Sequence, residues 1–264
     1  MKIAIQSNAW SNEIHTHHLP QMLAEIAEAG YQGVEIGAHR LDQDHPEVFT
    51  GLLQEKGLEV AGIHTHGELF NPEEMQAAMP RIRKAIEFSA AVKSPFVMFS
   101  GKAKPGKTEQ DQAHEAQMLD QIGELVHQNG MTLCYHNHYW EIEHQQKELS
   151  YLCENTNPEL VSLLLDVGWV HRAGGRPEEV IPKFLPRIRA FHFKDFRVKD
   201  AVNDTWTELG QGYVDFPRIL DLIWNKGDYW IIVERDEPLP NPAESARISA
   251  AYLKKQLADQ ELKG

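Results

Sequence analysis

Four places in the second half of the sequence set a metal-competent or acid–base side chain on a short apolar run. Met131 to Cys134 leads into Tyr135-His136-Asn137-His138-Tyr139-Trp140-Glu141, Val161 to Leu165 into Asp166, and Trp230 to Val233 into Glu234, while His192 lies within Ala190-Phe191-His192-Phe193. Such groups are costly to bury unless each has a partner or a metal. Carboxylates from Asp166, Glu234 and Glu141 with the imidazole of His192 make an O₃N set. That set suits Mn²⁺, Mg²⁺, Co²⁺ or Zn²⁺, with positions left for substrate oxygens. Each residue also has an ordinary structural account. The histidines can form a polar rim, Asp166 can cap a helical turn at Val167-Gly168-Trp169, and Glu234 can pair with Arg235.

Convergence of these groups depends on the elements that carry them. Strand-like and helix-like segments alternate along the whole chain, as β-α units of a parallel sheet do. Strands are expected at Ile3–Gln6, Gly33–Ile36, Glu59–His64, Phe96–Phe99, Met131–His136, Val161–Leu165, Arg189–Phe193 and Tyr229–Val233. Helices are expected at about 19–29, 46–56, 72–92, 108–128 and 243–259, with Gly30, Gly57 and Gly130 as left-handed caps. Eight such units in a chain of 264 residues predict an α/β fold, a (β/α)₈ TIM barrel, as one domain over residues 1–264. A doubly wound sheet is the rival architecture. It is disfavoured because Ser7-Asn8-Ala9-Trp10 follows strand one where a Gly-rich phosphate turn would stand.

Side chains of one parity share a strand face. Ala190, His192 and Lys194 would point into the barrel, as would Leu164 with Asp166, Ile232 with Glu234, His136 with His138, and His64 with His66. Catalytic groups of such barrels sit at the carboxyl ends of several strands.

The formal charge of −13 argues against nucleic-acid and anionic-membrane partners, which need a basic footprint. No stretch approaches the ~20 apolar residues of a membrane span. The opening Met1-Lys2-Ile3-Ala4-Ile5 runs directly into a strand, and Cys134 and Cys153 look like buried thiols, so a cytoplasmic protein is expected. Trp169, Trp206 and Trp224 suit a core or an interface, which leaves a homo-oligomer open. Lys102, Lys104 and Lys107 read as a solvated loop or a phosphate grip, and His15, His17 and His18 as a solvent-facing cluster. Gly210-Gln211-Gly212 reads as a turn into a helix capped by Asp215 rather than a dinucleotide fingerprint.

Taken together, Tyr135 to Glu141, Leu165-Asp166-Val167-Gly168-Trp169-Val170-His171-Arg172-Ala173-Gly174, Phe191-His192-Phe193-Lys194-Asp195, Gly210 to Phe216 and Val233-Glu234 resemble the sugar-phosphate isomerase/epimerase family with the xylose-isomerase-like barrel. The likeness covers nearly the whole chain. It implies a divalent metal held by Glu141, Asp166, His192 and Glu234, with Glu143 a competitor at the first place. It also implies His138 as a base, and Lys194 and Arg197 as substrate contacts. Trp10, Glu35, His64 and His66 would line a sugar pocket, with packing or capping as the alternative for each.

The chemistry implied is proton transfer next to the carbonyl of a keto-sugar. A metal that chelates the carbonyl oxygen and adjacent hydroxyl stabilises the enediolate. Acid–base groups on two faces, here Glu141 and Glu234 with His138, then give an epimer or isomer. Expulsion of a β-hydroxyl would instead give a dehydratase or lyase on an inosose or 3-keto sugar. A small-molecule sugar is the partner expected. A DNA-repair endonuclease of the related barrel would need a basic groove, and a non-catalytic sugar-binding protein is the third reading.

Overall fold

The computed structural model describes residues 1–198 and 204–263. Eight parallel strands close into a barrel: β1 (Lys2–Gln6), β2 (Gly33–Gly37), β3 (Glu59–His66), β4 (Phe96–Ser100), β5 (Thr132–His136), β6 (Val161–Asp166), β7 (Ile188–Phe193) and β10 (Trp230–Val233), in the order β1-β10-β7-β6-β5-β4-β3-β2. Between β7 and β10 a small antiparallel hairpin, β8 (Asp195–Val198) and β9 (Asp204–Thr207), stands apart from the barrel.

The pleat sorts the apolar side chains into two cores. Ala4, Ala61, Met98, Cys134, Leu164, Ala190, Trp230 and Ile232 fill the barrel interior, where small alanines face Met98 and Trp230. Strand residues of the other parity, such as Val34, Ile63, Val97, Leu133, Leu163, Phe191 and Ile231, pack under the surrounding helices. The main outer helices span 19–29, 46–56, 72–91, 109–128, 143–155, 177–184, 216–223 and 242–261. Their ends follow local chemistry. Asn71 accepts from the Glu74 N–H, Thr108 and Asp111 form a capping box, and Gly30 takes φ 86°. Among the described residues, no helix is long and apolar enough to cross a membrane.

Register aims the interior parity at one mouth. Asp166 on β6 lies level with His192 on β7, and Ile232 on β10 is level with His192 in turn. Glu234 follows directly, with its N–H on the Phe193 carbonyl at 3.0 Å. On β3 a register shift opposite Val34/Glu35 turns Gly62 inward, and a Cβ there would lie 2.7 Å from Met98. The same shift points His64 and His66 towards the mouth.

Several local expectations need correction. His15 is buried, not solvent-facing: the helix 12–17 turns its ring inward, with Nε2 2.9 Å from Ser7 Oγ and Nδ1 2.8 Å from the Ser11 carbonyl. His17 and His18 do face solvent. Lys107 does not belong to a solvated loop, because its ammonium is buried between Glu148 (2.6 Å) and Glu115 (3.0 Å). Cys134 is buried, but Cys153 is only partly so.

Candidate active site

Asp166, His192, Glu234 and His136 form one buried group. Each can offer a donor atom such that all four atoms lie within 4.8 Å of one another. His136 Nε2 is 3.3 Å from Asp166 Oδ2, and His192 Nδ1 is 2.9 Å from Glu234 Oε2 in a contact without hydrogen-bond alignment. His136 Nδ1, His192 Nδ1 and Glu234 Oε2 are buried with no hydrogen-bond partner. Of these, His192 Nδ1 and Glu234 Oε2 face each other in the close group, and imidazole nitrogen with carboxylate oxygen fits a divalent cation. Asp166 serves two ends at once. Its Oδ1 caps the helix 167–172 by accepting from the Trp169 N–H at 2.8 Å, while Oδ2 faces the group.

A resident cation stands beside these carboxylates. Lys194 Nζ lies 2.7 Å from Glu234, 2.7 Å from Asp236 and 3.2 Å from Asp166. The rings of Trp169 and Trp206 flank it at 4.7 and 4.8 Å, so the hairpin's β9 contributes one side of a cation–π sandwich. Burial works against the ammonium, yet Asp166, Glu234 and Asp236 hold its pKa above the ordinary lysine value. Burial lifts Asp236 to about 6 even against the pull of Lys194. Burial likewise opposes the charge on Glu234, but His192 and Lys194 hold its carboxyl well below the usual range. Gly168 allows this closeness: a Cβ there would sit 2.6 Å from the Lys194 carbonyl oxygen.

Behind the group, the wholly buried Glu35 takes His192 Nε2 at 2.6 Å and His64 Nδ1 at 2.8 Å. Burial would raise its pKa, but the two imidazoles bring it down to about 2. His64 continues to Ser100, with Nε2 3.0 Å from Oγ.

Glu141, the fourth donor expected, is not in the close group. It is buried, accepting from the Tyr135 hydroxyl at 2.6 Å and the His138 N–H at 2.8 Å, and burial lifts its pKa to about 7. Its neighbour Glu143 is exposed. His136, from the strand end itself, stands in the fourth place. His138 stacks flat on Trp140, centroids 4.3 Å apart at 8°, and burial, then His136, hold its pKa down to about 2.

A cavity of about 170 Å³ opens over the group, lined by Gln6, Asn8, Gly37, His39, His64, His66, Ser100, His136, His138, Glu234 and Asp236. Of the expected pocket residues, His64, His66 and His138 line it, whereas Trp10, Glu35, Lys194 and Arg197 do not. Trp10 is a core residue whose Nε1 donates to Glu25 at 2.8 Å. Arg197 is exposed on the hairpin, with its guanidinium on Gln211. Sequence reasoning did not find Asp236, although it shares the parity of Ile232 and Glu234. It also passed over His136 as a donor, although it is the inward residue that ends β5.

A family model described as a xylose isomerase-like TIM barrel matches residues 23–256. The inosose dehydratase of Lactiplantibacillus plantarum is 27% identical, over 92% of this chain and 90% of its own. Two solved structures share the fold. A sugar phosphate isomerase/epimerase from Parabacteroides distasonis superposes with a TM-score of 0.75 at 21% identity, covering 96% of this chain and 93% of that one. The 3-keto-D-glucoside 4-epimerase of E. coli superposes with a TM-score of 0.75 at 16% identity, covering 97% and 99%.

Proposed function

The chain belongs to the xylose isomerase-like TIM barrel family, and from that premise we propose a metal-dependent carbon–oxygen lyase acting on an inosose-type keto-cyclitol. It would remove the proton next to the ketone and lose a β-hydroxyl as water. The observation that carries this reading is the buried four-donor group under a small cavity walled by imidazoles and amides. Asp166, His192 and Glu234 would hold the ion, with His136 the fourth of the close group. Glu141, whose oxygens accept from the Tyr135 hydroxyl and the His138 N–H, lies outside that close group. When bound, the ion supplies positive charge beside the substrate carbonyl, which lowers the cost of removing the neighbouring proton.

The chain's own groups do the rest. His138 and Glu234 line the cavity as the groups that would take the proton. Asp236 beside them, its carboxyl lifted to about 6 by burial, can hold it and return it to the departing hydroxyl as water leaves. His66 presents a neutral imidazole that can hydrogen-bond the departing hydroxyl, its pKa lowered to about 4 by burial and then by Arg81. None of the described residues lining the cavity is a lysine or arginine, since Lys194 is engaged by three carboxylates and Arg197 by Gln211. That supports a neutral polyhydroxylated substrate rather than a phosphate ester. The full-length likeness to an inosose dehydratase supports loss of water.

A second reading, the isomerase/epimerase, is favoured by one feature of the cavity. Carboxylates of Glu234 and Asp236 on the β10 side face imidazoles of His64 and His66 from β3, so a proton could leave on one face and return on another. Incubating the Mn²⁺-loaded protein with an inosose in deuterated water separates the two. A product lighter by one water supports the lyase, and deuterium uptake without loss of water supports the epimerase. If inososes and ketoses alike return unchanged and unlabelled, both readings fail.

A further inference from the structure

Glu35 is wholly buried and outside the cavity lining, so it meets no substrate; its two oxygens divide between two rings. A carboxylate only accepts hydrogen bonds, so each ring must present an N–H to it. His192 therefore carries hydrogen on Nε2 and His64 on Nδ1. In a neutral ring the far nitrogen is then left as the lone-pair acceptor. His192 Nδ1 faces Glu234 and Asp166 at 2.9 and 3.8 Å, and His64 Nε2 faces the Ser100 hydroxyl at 3.0 Å.

We infer that Glu35 is a positioning residue that fixes both imidazoles at once, so that His192 offers Nδ1 to the divalent ion and His64 offers Nε2 as an acceptor to Ser100. Ser100 then points its hydrogen into the ring and leaves its oxygen lone pairs towards the cavity it lines. The two sets of contacts run from cavity wall to cation seat through a single carboxylate: Ser100, His64, Glu35, His192. Outer carboxylates of this kind orient metal-ligating histidines in general, and losing one weakens metal binding by about ten- to a hundred-fold. The ordinary alternative is a buried anion neutralised by two histidines, with no bearing on which nitrogen binds the ion. The His192 half of the inference rests on the metal-dependent reading above.

The test uses the whole chain, with Mn²⁺ titrated calorimetrically into wild type and Glu35→Gln. Glutamine keeps the volume but offers one acceptor and one donor, so it cannot receive both N–H groups. A loss of about ten- to a hundred-fold in Mn²⁺ affinity, in a variant that still unfolds cooperatively, supports the inference. Equal affinity overturns it while leaving the metal reading intact. A wild type that binds no ion overturns the metal reading, and the His192 half falls with it. A second measurement needs no variant: nitrogen–hydrogen NMR correlations on histidine-labelled, Mg²⁺-loaded wild type. Hydrogen on His192 Nε2 and on His64 Nδ1 is expected, and hydrogen on the opposite nitrogen of either ring overturns the assignment for that ring.

Discussion

Lys194→Met should destabilise the metal-free protein far more than the metal-loaded one. The ammonium touches Glu234 and Asp236 at 2.7 Å and Asp166 at 3.2 Å, with Lys194, Asp166 and Glu234 buried, Asp236 at the cavity edge, and the rings of Trp169 and Trp206 flanking the charge. Methionine fills most of the volume but leaves three carboxylates facing one another without that charge. Removing one partner of a buried ion pair costs about 3–5 kcal/mol. In a domain somewhat larger than 200 residues, each kcal/mol moves the midpoint by roughly 2–4 °C, so a fall of about 6–20 °C is expected in chelator. A divalent cation on Asp166, His192 and Glu234 would replace the lost charge. The deficit should then shrink to the cation–π contacts and the Asp236 bond, about 1–3 kcal/mol. Affinity for Mn²⁺ should rise, because the tethered ammonium no longer competes for Glu234 and Asp166. Thermal unfolding of both proteins in EDTA and in excess Mn²⁺ reads all of this. An equal drop under both conditions would show that Lys194 does not share the seat of the ion, and the reasoning would fail.

Glu234→Gln and His192→Ala should each cut turnover at least about a hundred-fold, as the loss of a group acting on developing charge does, in protein that remains folded; full activity in either removes that residue from the site. Gly168→Ala should lower the unfolding midpoint by an amount matching about 1–3 kcal/mol and reduce turnover, because its methyl would meet the Lys194 carbonyl at 2.6 Å; calorimetry checks the first and a steady-state assay the second. Glu115 carries a pH-dependent signal. Burial lifts its carboxyl to about 7 although Lys107 lies 3.0 Å away, since that ammonium is also engaged by Glu148 at 2.6 Å. A raised acid pKa favours the folded protein below the ordinary value of 4.5, and that contribution is lost as pH climbs through about 7. Glu115→Gln should therefore gain on wild type between pH 5 and pH 8 by at most ~3 kcal/mol, measured by denaturant melts, and a constant difference across that range would refute the assignment.

The barrel was legible because its signals are local. Apolar runs bounded by glycine caps gave strands whose observed limits differ from expectation by no more than two residues. What was illegible depends on distant partners. The hairpin β8–β9 is short and polar, and the Asp195 carboxylate ties it to the following loop by accepting from the N–H groups of Gly210, Gly212 and Val214. Nothing within four residues of Asp195 announces that. His15 and Lys107 were misread for the same reason. Each is a polar residue in a polar stretch, and each is buried by groups brought from elsewhere in the chain: Arg40 beside His15, Glu148 beside Lys107.

The same distinction explains why three expected donors converge and the fourth does not. Asp166 and His192 belong to their strands and Glu234 directly follows one, so alternation along the pleat decides their direction before any loop is built. Glu141 lies five residues past the end of β5, where the chain turns through Asn137 to Trp140. There its direction is set by whichever hydrogen bonds the turn can make, and the Tyr135 hydroxyl and His138 N–H compete with a cation for its oxygens. Asn137 fixes the turn against β6, accepting from the Asp166 N–H at 2.9 Å, and so brings His136 beside Asp166. A donor on a regular strand is specified by parity, whereas a donor on a loop is specified by a balance of bonds that a bound ion can shift. The Glu141 carboxyl, lifted to about 7 by burial, is therefore the donor whose position should respond most to metal.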